Sequence, residues 1–420
     1  MRDAGQVPAG ASEVASDSSG ALAGPRPGEG LEGLPAHARV DEALSGATGV
    51  EGPQGELWWG DNLESLELLA RRFSGAVQCV YLDPPYNIQS GNAHYDDRKS
   101  HDAWLAFMRA RLEAIRPLLR PSGIICVQID DTEMAYLQVM MDEVFGRGRR
   151  VNTITVKMSE LSGVKMAHTE RRLPKIKESL LVYGGGGDVR ISAPQVLKSG
   201  PKFERYLKYY GKVVVDPTLP PERWEIVPIR EYLRSRGEAD DAASVRAFKI
   251  EEAHRVVYRT NSKLMSSLSF DTATAEVTSP TGLRYVWWEG KEMLFLSDHI
   301  HETLGDLWTD ISTINLNKEG GAAFVNGKKP EALLRRVIEM CSRPGDLVLD
   351  AFAGSGTTGA VAHKLGRDWV MLESGAQCET HIAPRIRAVM AGHDRGGISR
   401  AAEQTATNGG FRGVRLLSES

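Results

Sequence analysis

The chain has 420 residues and a formal charge of −4 at pH 7. Its length allows one large domain or two ordinary ones, and its charge excludes a uniformly basic protein, so any nucleic-acid surface must be local. The four cysteines show neither a CxxC spacing nor a histidine partner pattern, which predicts a reduced cytoplasmic protein without a bound metal. No apolar run approaches the roughly 18 residues of a membrane helix and no signal-peptide core follows Met1, so we expect no membrane association.

Residues 1–52 are rich in glycine, alanine, proline and serine and have no apolar period, which predicts a disordered tail. From 53 to 185, short apolar runs alternate with amphipathic segments, as in one half of an α/β domain. The predicted strands are 57–59, 77–82, 124–129, 151–156 and 179–183, and the predicted helices are 63–70, 104–119 and 134–145.

The apolar period is lost over 186–306, a polar stretch that we expect to be an inserted domain. The alternation resumes over 307–392, and residues 393–420, rich in glycine, arginine and serine, predict a loose tail. Because strands alternate with helices on both sides of the insert, the pattern predicts a doubly wound, mostly parallel α/β sheet. The elements predicted after the insert are helices at 331–341 and 357–365 and strands at 347–349 and 369–372.

A glycine-rich turn follows the strand at 347–349. Gly354 and Gly356 allow the backbone to turn tightly and to approach a ligand, and the helix after them directs free N–H groups at it. Glu373 ends the next strand roughly 20 residues on, where an acid binds ribose hydroxyls in nucleotide-binding folds. The turn lacks a P-loop ending, which disfavours NTP, and a purely structural turn is the alternative. The residues expected to hold the cofactor are Asp350, Phe352, Gly354, Gly356, Thr357 and Glu373.

Asp83, Pro84, Pro85 and Tyr86 directly follow the predicted strand at 77–82. An exocyclic amine on a base is a poor nucleophile because its lone pair is shared with the ring, and two acceptors on its N–H bonds localise that pair. The Asp83 carboxylate and the Pro84 carbonyl, whose direction the prolines fix, supply two such acceptors, and Tyr86 offers a ring for a flipped-out base. A proline-terminated strand with a surface tyrosine is the alternative. Methylation of cytosine C5 is disfavoured because no cysteine follows a proline.

The run from Asp83 to Tyr86 and the later glycine-rich turn, in this order along the chain, resemble the motifs of DNA amino-methyltransferases of the beta class. The resemblance covers roughly residues 55–185 and 308–385. The resemblance implies S-adenosylmethionine as the cofactor, adenine N6 of a flipped-out base in double-stranded DNA as the target, and a target-recognition domain at 186–306. It also implies that the Rossmann-like sheet is circularly permuted, with the strand at 57–59 as its third strand.

Two further residues receive roles from this resemblance. Asp61 would meet the adenine amine of the cofactor, and Lys329 would line its methionine end. Asp61 also stands where a helix N-cap is expected, and the two roles are compatible. The N4 amine of cytosine needs nearly the same chemistry and stays the alternative target. A DNA-binding specificity subunit that directs a restriction partner, with dispensable catalysis, is the alternative of another class.

Within the beta class, several strings resemble modification subunits of type III restriction–modification systems. This resemblance implies a restriction or helicase subunit as a partner and a homodimer as the assembly. The chain is shorter than is typical of these subunits, and Ala351 replaces a bulkier residue or a proline. The strings that carry the resemblance are 83–87, 91–92, 95–97, 104–108, 129–131 and 307–311.

Basic residues cluster in two stretches that are candidates for contact with DNA phosphates. One follows the base-site half, and the other, interleaved with tyrosines, lies in the expected insert, where sequence readout is expected. An ordinary solvated surface is the alternative for both. The candidate DNA-binding residues are Arg149, Arg150, Lys157, Arg171, Arg172, Lys202 and Arg205.

Overall fold

The computed structural model describes most of the chain and divides it into two units. The first unit comprises Met1–Ser192 and Trp308–Ser420, and the second comprises Ala193–Leu307. The strings at 91–92 and 95–97 and the candidate DNA contacts at 171–172 lie outside the described residues. The described residues are 25–47, 51–88, 98–160, 173–220, 223–260, 276–278, 284–288, 291–314, 316–321, 324, 327–394, 396–400 and 409–417.

The regular elements of these residues are strands and mostly short helices. The strands are β1 (Ala38–Val40), β2 (Gln54–Trp59), β3 (Val77–Leu82), β4 (Leu119–Ile129), β5 (Arg150–Lys157), β6 (Lys177–Gly184), β7 (Gln195–Leu197), β8 (Lys212–Val214), β9 (Ile226–Pro228), β10 (Val256–Thr260), β11 (Glu276–Thr278), β12 (Arg284–Trp288), β13 (Lys291–Phe295), β14 (His301–Thr303), β15 (Leu307–Trp308), β16 (Leu347–Asp350), β17 (Asp368–Glu373) and β18 (Gly410–Leu416). The α-helices are α1 (Asn62–Phe73), α2 (His101–Ile115), α3 (Met134–Met141), α4 (Gly200–Leu207), α5 (Ile229–Ser235), α6 (Ala242–Glu251), α7 (Glu331–Cys341), α8 (Thr357–Lys364) and α9 (Ala383–Met390).

The first unit is built on a sheet whose strand order is β1-β18-β2-β17-β16-β3-β4-β6-β5-β15. In this order, the strands from β18 to β4 run parallel to one another. β6 runs antiparallel to both of its neighbours, β4 and β5. Every residue of β16 and β17 is buried, as expected of parallel strands covered on both faces. The predicted doubly wound, mostly parallel α/β sheet is confirmed.

The order of the central strands also confirms the predicted permutation. From β16 the sheet continues on one side through β17 to β2 and on the other through β3 to β4. The strand that comes early in the chain, β2, therefore takes the third place in the sheet, beside the late strand β17. Because parallel strands end at the same edge, the residues that follow β2, β3, β16 and β17 meet there.

The two ends of the chain contribute strands, where the sequence predicts a disordered tail over 1–52 and a loose tail over 393–420. Both predictions are wrong for the strands themselves: β1 pairs with β18, and β18 pairs along the whole of β2. Phe411 and Val414 of β18 are buried. The glycine content misled the prediction because a Cβ on Gly413 would lie 2.2 Å from Leu44, so this glycine permits close packing rather than disorder.

The second unit, expected as an insert over 186–306, contains a six-stranded antiparallel sheet in the order β11-β12-β13-β10-β8-β9 and a two-stranded sheet of β14 and β7. Its core includes buried residues of α4, α5 and α6, among them Phe203, Tyr232 and Phe248. The three-residue strands β7, β8, β9 and β14 escaped prediction because runs of this length carry almost no periodicity. Within the described part of the chain, no helix has the length and apolar character needed to cross a membrane.

Candidate active site

The predicted base-site tetrapeptide lies directly after β3, where its side chains and carbonyls are tied to neighbouring elements. The Tyr86 hydroxyl lies 2.7 Å from Asp83 Oδ1. The indole N–H of Trp104, on α2, donates to the Pro85 carbonyl at 2.7 Å. The tetrapeptide is therefore closed by a bond between its first and last side chains and is tied to α2 by a second bond, and the alternative of a free surface tyrosine does not fit this packing.

Two residues from distant parts of the chain complete this cluster. Lys329 Nζ lies 3.1 Å from Asp83 Oδ1 and 3.2 Å from Glu178 Oε2, and it donates to the Tyr86 hydroxyl at 2.8 Å. The Tyr86 hydroxyl also lies 2.8 Å from Glu178 Oε2. The sequence assigned Lys329 to the methionine end of the cofactor, whereas the structure places its ammonium between the two carboxylates of the base site.

A second layer of hydrogen bonds supports Glu178, which lies at the start of β6. The Gln128 side-chain amide, on β4, donates to Glu178 Oε2, and the Tyr81 hydroxyl donates to Gln128 Oε1 at 2.6 Å. Gln128 and Tyr81 are both buried. Buried polar groups arranged in this way are satisfied by one another, so the chain of bonds fixes the position of the Glu178 carboxylate.

Burial and charge act together on the ionisable groups of this cluster. Burial raises the pKa of Asp83, although Lys329 opposes the shift. Burial alone would also raise the pKa of Glu178, but Lys329 and the bonds from Gln128 and Tyr86 outweigh it and lower that pKa. Burial would lower the pKa of Lys329, but the two carboxylates raise it. Glu178 and Lys329 therefore remain an ion pair at neutral pH.

The glycine-rich turn after β16 adopts the conformation that its glycines permit. Gly354 and Gly356 have φ angles of 55° and 73°, in the left-handed region, and a Cβ on Gly356 would lie 2.9 Å from Ile382. The Gly354 N–H donates to Glu373 Oε2 at 2.8 Å, which joins the turn to the end of β17. Asp350, the last residue of β16, also holds the turn, because its Oδ1 accepts a hydrogen bond from the Phe352 N–H at 2.9 Å.

A cleft lies between this turn and the helices α1 and α2. The aromatic rings of Phe107 and Phe352, 6.0 Å apart between centroids, form its apolar walls. The Arg111 guanidinium stacks 3.6 Å from the centre of the Phe107 ring. The residues that line the cleft are Asp61, Asn62, Pro85, Phe107, Arg111, Ala351, Phe352, Leu372, Glu373 and Ser374.

Asp61 fulfils the helix-capping role and also reaches the cleft. Its Oδ1 accepts hydrogen bonds from the N–H groups of Leu63 and Glu64, at 2.9 and 3.1 Å, and so caps α1. Its Oδ2 lies 3.2 Å from Arg111 Nη2, and the residue is among those lining the cleft. Thr357, in contrast, is buried and its hydroxyl accepts from Arg385 at 2.8 Å, so its side chain points away from the cleft.

The candidate DNA-binding residues that the structure describes lie on different elements of the two units. β5 runs antiparallel to β6, so Arg150 pairs with Tyr183 at the edge opposite Asp83, whereas Lys157 pairs with Lys177 at the same edge as Asp83. The two ends of β5 are roughly 23 Å apart at 3.3 Å per residue. Arg149 and Arg150 are thus well separated from Lys157, and the role of each in contact with DNA phosphates stays a prediction.

Lys202 and Arg205 lie in the second unit, on α4. They line a cleft there, and their charged side chains are exposed. Aromatic and basic residues alternate around this cleft, as the sequence pattern predicts. The residues that line it are Lys198, Ser199, Lys202, Phe203, Arg205, Tyr206, Tyr209, His299 and Glu302.

Sequence reasoning missed four residues of the site. Gln128 is the one polar side chain in the run from Ile124 to Ile129, which is a signal that could have marked it. Glu178 stands at the start of a predicted edge strand and gives no local signal, because only the pairing of β6 with β4 brings it to Asp83. Phe107 and Arg111 lie on a helix predicted from its apolar face.

Comparison with known proteins identifies the family. A family model described as a DNA methylase matches residues 77–383, which include the base-site tetrapeptide, the glycine-rich turn and Glu373. The chain belongs to this DNA methylase family. The match spans more than half of the chain and both halves of the first unit, so the predicted relationship to DNA amino-methyltransferases is confirmed.

The relatives are named as methyltransferases or as subunits of restriction-modification enzymes. A "Probable type III restriction-modification enzyme HindVI Mod subunit" of Haemophilus influenzae is 33% identical over 81% of this chain and 51% of its own length. The type II methyltransferase M.KpnI of Klebsiella pneumoniae is 27% identical over 82% of this chain and 86% of its own. The StyLTI Mod subunit of Salmonella typhimurium is 26% identical over 71% and 48%, respectively. The predicted resemblance to type III modification subunits is confirmed, and this methylase spans about half the length of those subunits.

A solved structure also aligns with the chain. The PvuII DNA methyltransferase (cytosine-N4-specific) aligns with a TM-score of 0.44 and 13% identity, over 80% of this chain and 89% of that chain.

Proposed function

We propose that this methylase transfers a methyl group from S-adenosylmethionine to the N6 amine of adenine in double-stranded DNA. One observation carries the proposal: the base-site tetrapeptide and the cofactor cleft share a wall. Pro85, whose neighbours Asp83 and Tyr86 form the base site, lines the cleft together with Phe352 and Glu373. An amine held by Asp83 is therefore next to a group bound in the cleft, as a direct methyl transfer requires.

The residues of the cleft fit the cofactor. Its two aromatic walls suit a flat adenine ring, and the acids Asp61 and Glu373 suit an amine and ribose hydroxyls. Gly356 approaches Ile382 so closely that a Cβ would need to displace it, so the turn is built for glycine. S-adenosylmethionine, when bound, supplies an electrophilic methyl group on a sulfonium centre.

The chain's own groups would activate the amine for attack and would then remove its extra proton. The Asp83 carboxylate and the Pro84 carbonyl would accept one hydrogen bond each from the two N–H groups of the amine, which localises the lone pair on nitrogen. As the N–C bond forms and the bond from the methyl group to the cofactor's sulfur breaks, the nitrogen would become positively charged, and the negative charge of Asp83 would stabilise it. One proton then leaves the nitrogen, first to Asp83 and finally to solvent. The Tyr86 ring, fixed at its hydroxyl by three contacts, would stack on the base.

We further propose that the second unit supplies target recognition. The exposed charges of Lys202 and Arg205 suit phosphate contact, and the adjacent tyrosines offer stacking and hydrogen-bonding groups. The relatives named as Mod subunits of type III enzymes support a restriction subunit as a partner. The homodimer implied by the sequence resemblance stays a prediction.

A methyl-transfer assay with labelled cofactor and mixed-sequence duplex DNA tests the function. Wild-type protein should label DNA, and Asp83→Ala should reduce the rate by at least about a hundredfold, the usual effect of losing a catalytic carboxylate. Asp188→Ala, which removes an exposed carboxylate, is the matched control. Absence of label with wild-type protein would contradict the proposal and favour a specificity subunit without catalysis.

Sequencing with modified-base detection, on DNA from cells that express the protein, identifies both the target sequence and the base. N6-methyladenine at a defined sequence is the expected result. An N4-methylcytosine signal would refute the choice of adenine while leaving amine methylation in place.

A further inference from the structure

The base site holds a second carboxylate whose contacts mirror those of Asp83. Glu178 contacts both Lys329 and Tyr86, and Asp83 contacts the same two groups. The two carboxylates lie at almost equal distances from the Lys329 ammonium, 3.1 Å and 3.2 Å. One ammonium is therefore shared between two anions, and the ionised cluster carries a single net negative charge.

The shared ammonium matters because Lys329, if it were paired with Asp83 alone, would weaken the Asp83 carboxylate as a hydrogen-bond acceptor for the substrate amine. An ammonium at 3.1 Å would neutralise the carboxylate and would compete with a substrate amine for its lone pairs. The side chains of Lys329 and Asp83 are only 10% and 20% exposed, so water screens little of this interaction. Glu178 gives the ammonium a second anionic partner and thus preserves the acceptor strength of Asp83.

Glu178 is held in place for this purpose from outside the cluster. Gln128 donates to its Oε2, and Tyr81 in turn holds Gln128. The Tyr86 hydroxyl has one proton and lies within hydrogen-bond distance of both carboxylates, so it can donate to only one of them at a time. The carboxylate of Glu178 therefore acts on the charge of Lys329 and on the orientation of the Tyr86 ring.

We propose that Glu178 is a positioning residue of the base site, which takes up the charge of Lys329 so that Asp83 is free to accept the substrate amine. The proposal rests on the methyltransferase function proposed above. It gives a role to a residue outside the tetrapeptide and outside the cofactor turn. It predicts that the charge of Glu178, more than its size or hydrogen-bonding capacity, supports catalysis.

The test compares single and double variants in the methyl-transfer assay. Glu178→Gln keeps the shape but leaves Asp83 paired with Lys329 alone. We expect kcat to fall about 30-fold, less than the loss of about 100-fold or more that follows removal of a group in direct contact with the reacting atoms. The dissociation constant for S-adenosylmethionine should stay within about twofold, because the cleft does not include Glu178. Glu178→Asp keeps the charge and should retain more activity than Glu178→Gln.

The double variant Glu178→Gln/Lys329→Met is the decisive measurement. It removes one charge of each sign, so the cluster again carries the single negative charge of Asp83. We expect its kcat to exceed that of Glu178→Gln by about fivefold, a non-additive result that a structural role would not produce. Glu339→Gln, which removes the carboxylate of an exposed ion pair with Arg335 on α7, is the matched control and should match wild type.

The possible outcomes separate the two proposals. If wild-type protein transfers no methyl, the proposed function fails. If wild type is active and Glu178→Gln equals the Glu339→Gln control, the role of Glu178 is refuted and the function stands. If Glu178→Gln is more active than Glu178→Asp, or if the double variant is no faster than Glu178→Gln, charge balance is refuted. Cofactor binding by each variant verifies that the first unit is folded.

Discussion

Replacement of Asp350 by asparagine should change the pH dependence of folding stability. Asp350 is only 2% exposed at the end of β16, and burial raises its pKa to about 7, against the hydrogen bonds from Thr358 and the Phe352 N–H. The unfolded chain binds this proton with an ordinary pKa of about 4. The folded protein therefore binds the proton more tightly, so the stabilising contribution is complete below about pH 4 and is lost as pH rises through about 7.

The magnitude follows from the size of the shift. A rise of about three pKa units corresponds to about 4 kcal/mol, because one unit is worth about 1.4 kcal/mol. Asp350→Asn removes the titration and retains a carbonyl oxygen that can accept the Phe352 N–H. The free energy of unfolding of the variant, relative to wild type, should therefore rise by about 3 kcal/mol between pH 4.5 and pH 8, the part of the full effect that falls within this window.

Urea unfolding, followed by tryptophan fluorescence and circular dichroism at several pH values, measures this difference. Asp188→Asn, at a side chain that is 78% exposed, is the control and should change stability by no more than about 0.5 kcal/mol. A difference between Asp350→Asn and wild type that stays constant from pH 4.5 to pH 8 would refute the reasoning, because it would show that Asp350 titrates alike in the folded and unfolded chains.

Three further substitutions test the cofactor turn, the cleft and the second unit. Gly356→Ala places a Cβ in the left-handed region and against a neighbouring isoleucine, so unfolding experiments should show a loss of about 1–2 kcal/mol. Phe107→Ala removes one aromatic wall of the cleft, and calorimetric titration should show S-adenosylmethionine binding weakened by about tenfold, or about 1.4 kcal/mol. Lys202→Ala combined with Arg205→Ala removes two exposed charges, and the slope of log affinity for duplex DNA against log salt should fall by about 2. A slope equal to that of wild type would place the phosphate contacts elsewhere.

The sequence predicts those residues of the site that directly follow or end a predicted strand. Asp83 and Glu373 follow apolar runs, and the parallel sheet then brings them to one edge, so their proximity needed only the strand order. Glu178 could not be predicted, because its place depends on the antiparallel pairing of β6 with β4. Lys329 was placed by analogy at the cofactor, and only the packing of the segment before α7 shows that its ammonium reaches the base site.

The errors at the chain ends and the separation of the basic residues along β5 have a common physical cause. Composition describes what a segment would do alone, whereas β18 is stabilised by pairing with β2 and by the packing space that Gly413 leaves for Leu44. Arg150 and Lys157 are near in sequence but lie at opposite ends of an extended strand. Both cases depend on tertiary pairing, which local patterns do not encode.

The permuted strand order also determines when the sheet can assemble during synthesis. β2 and β3 leave the ribosome early, one helix apart, yet in the finished sheet they are separated by β16 and β17, which begin at Leu347 and Asp368. Until those strands emerge, β2 and β3 have no permanent neighbour on their facing sides. A nascent chain in this state exposes unpaired strand edges, folds late and is a substrate for chaperones, so slow translation or truncation before β16 should lead to aggregation.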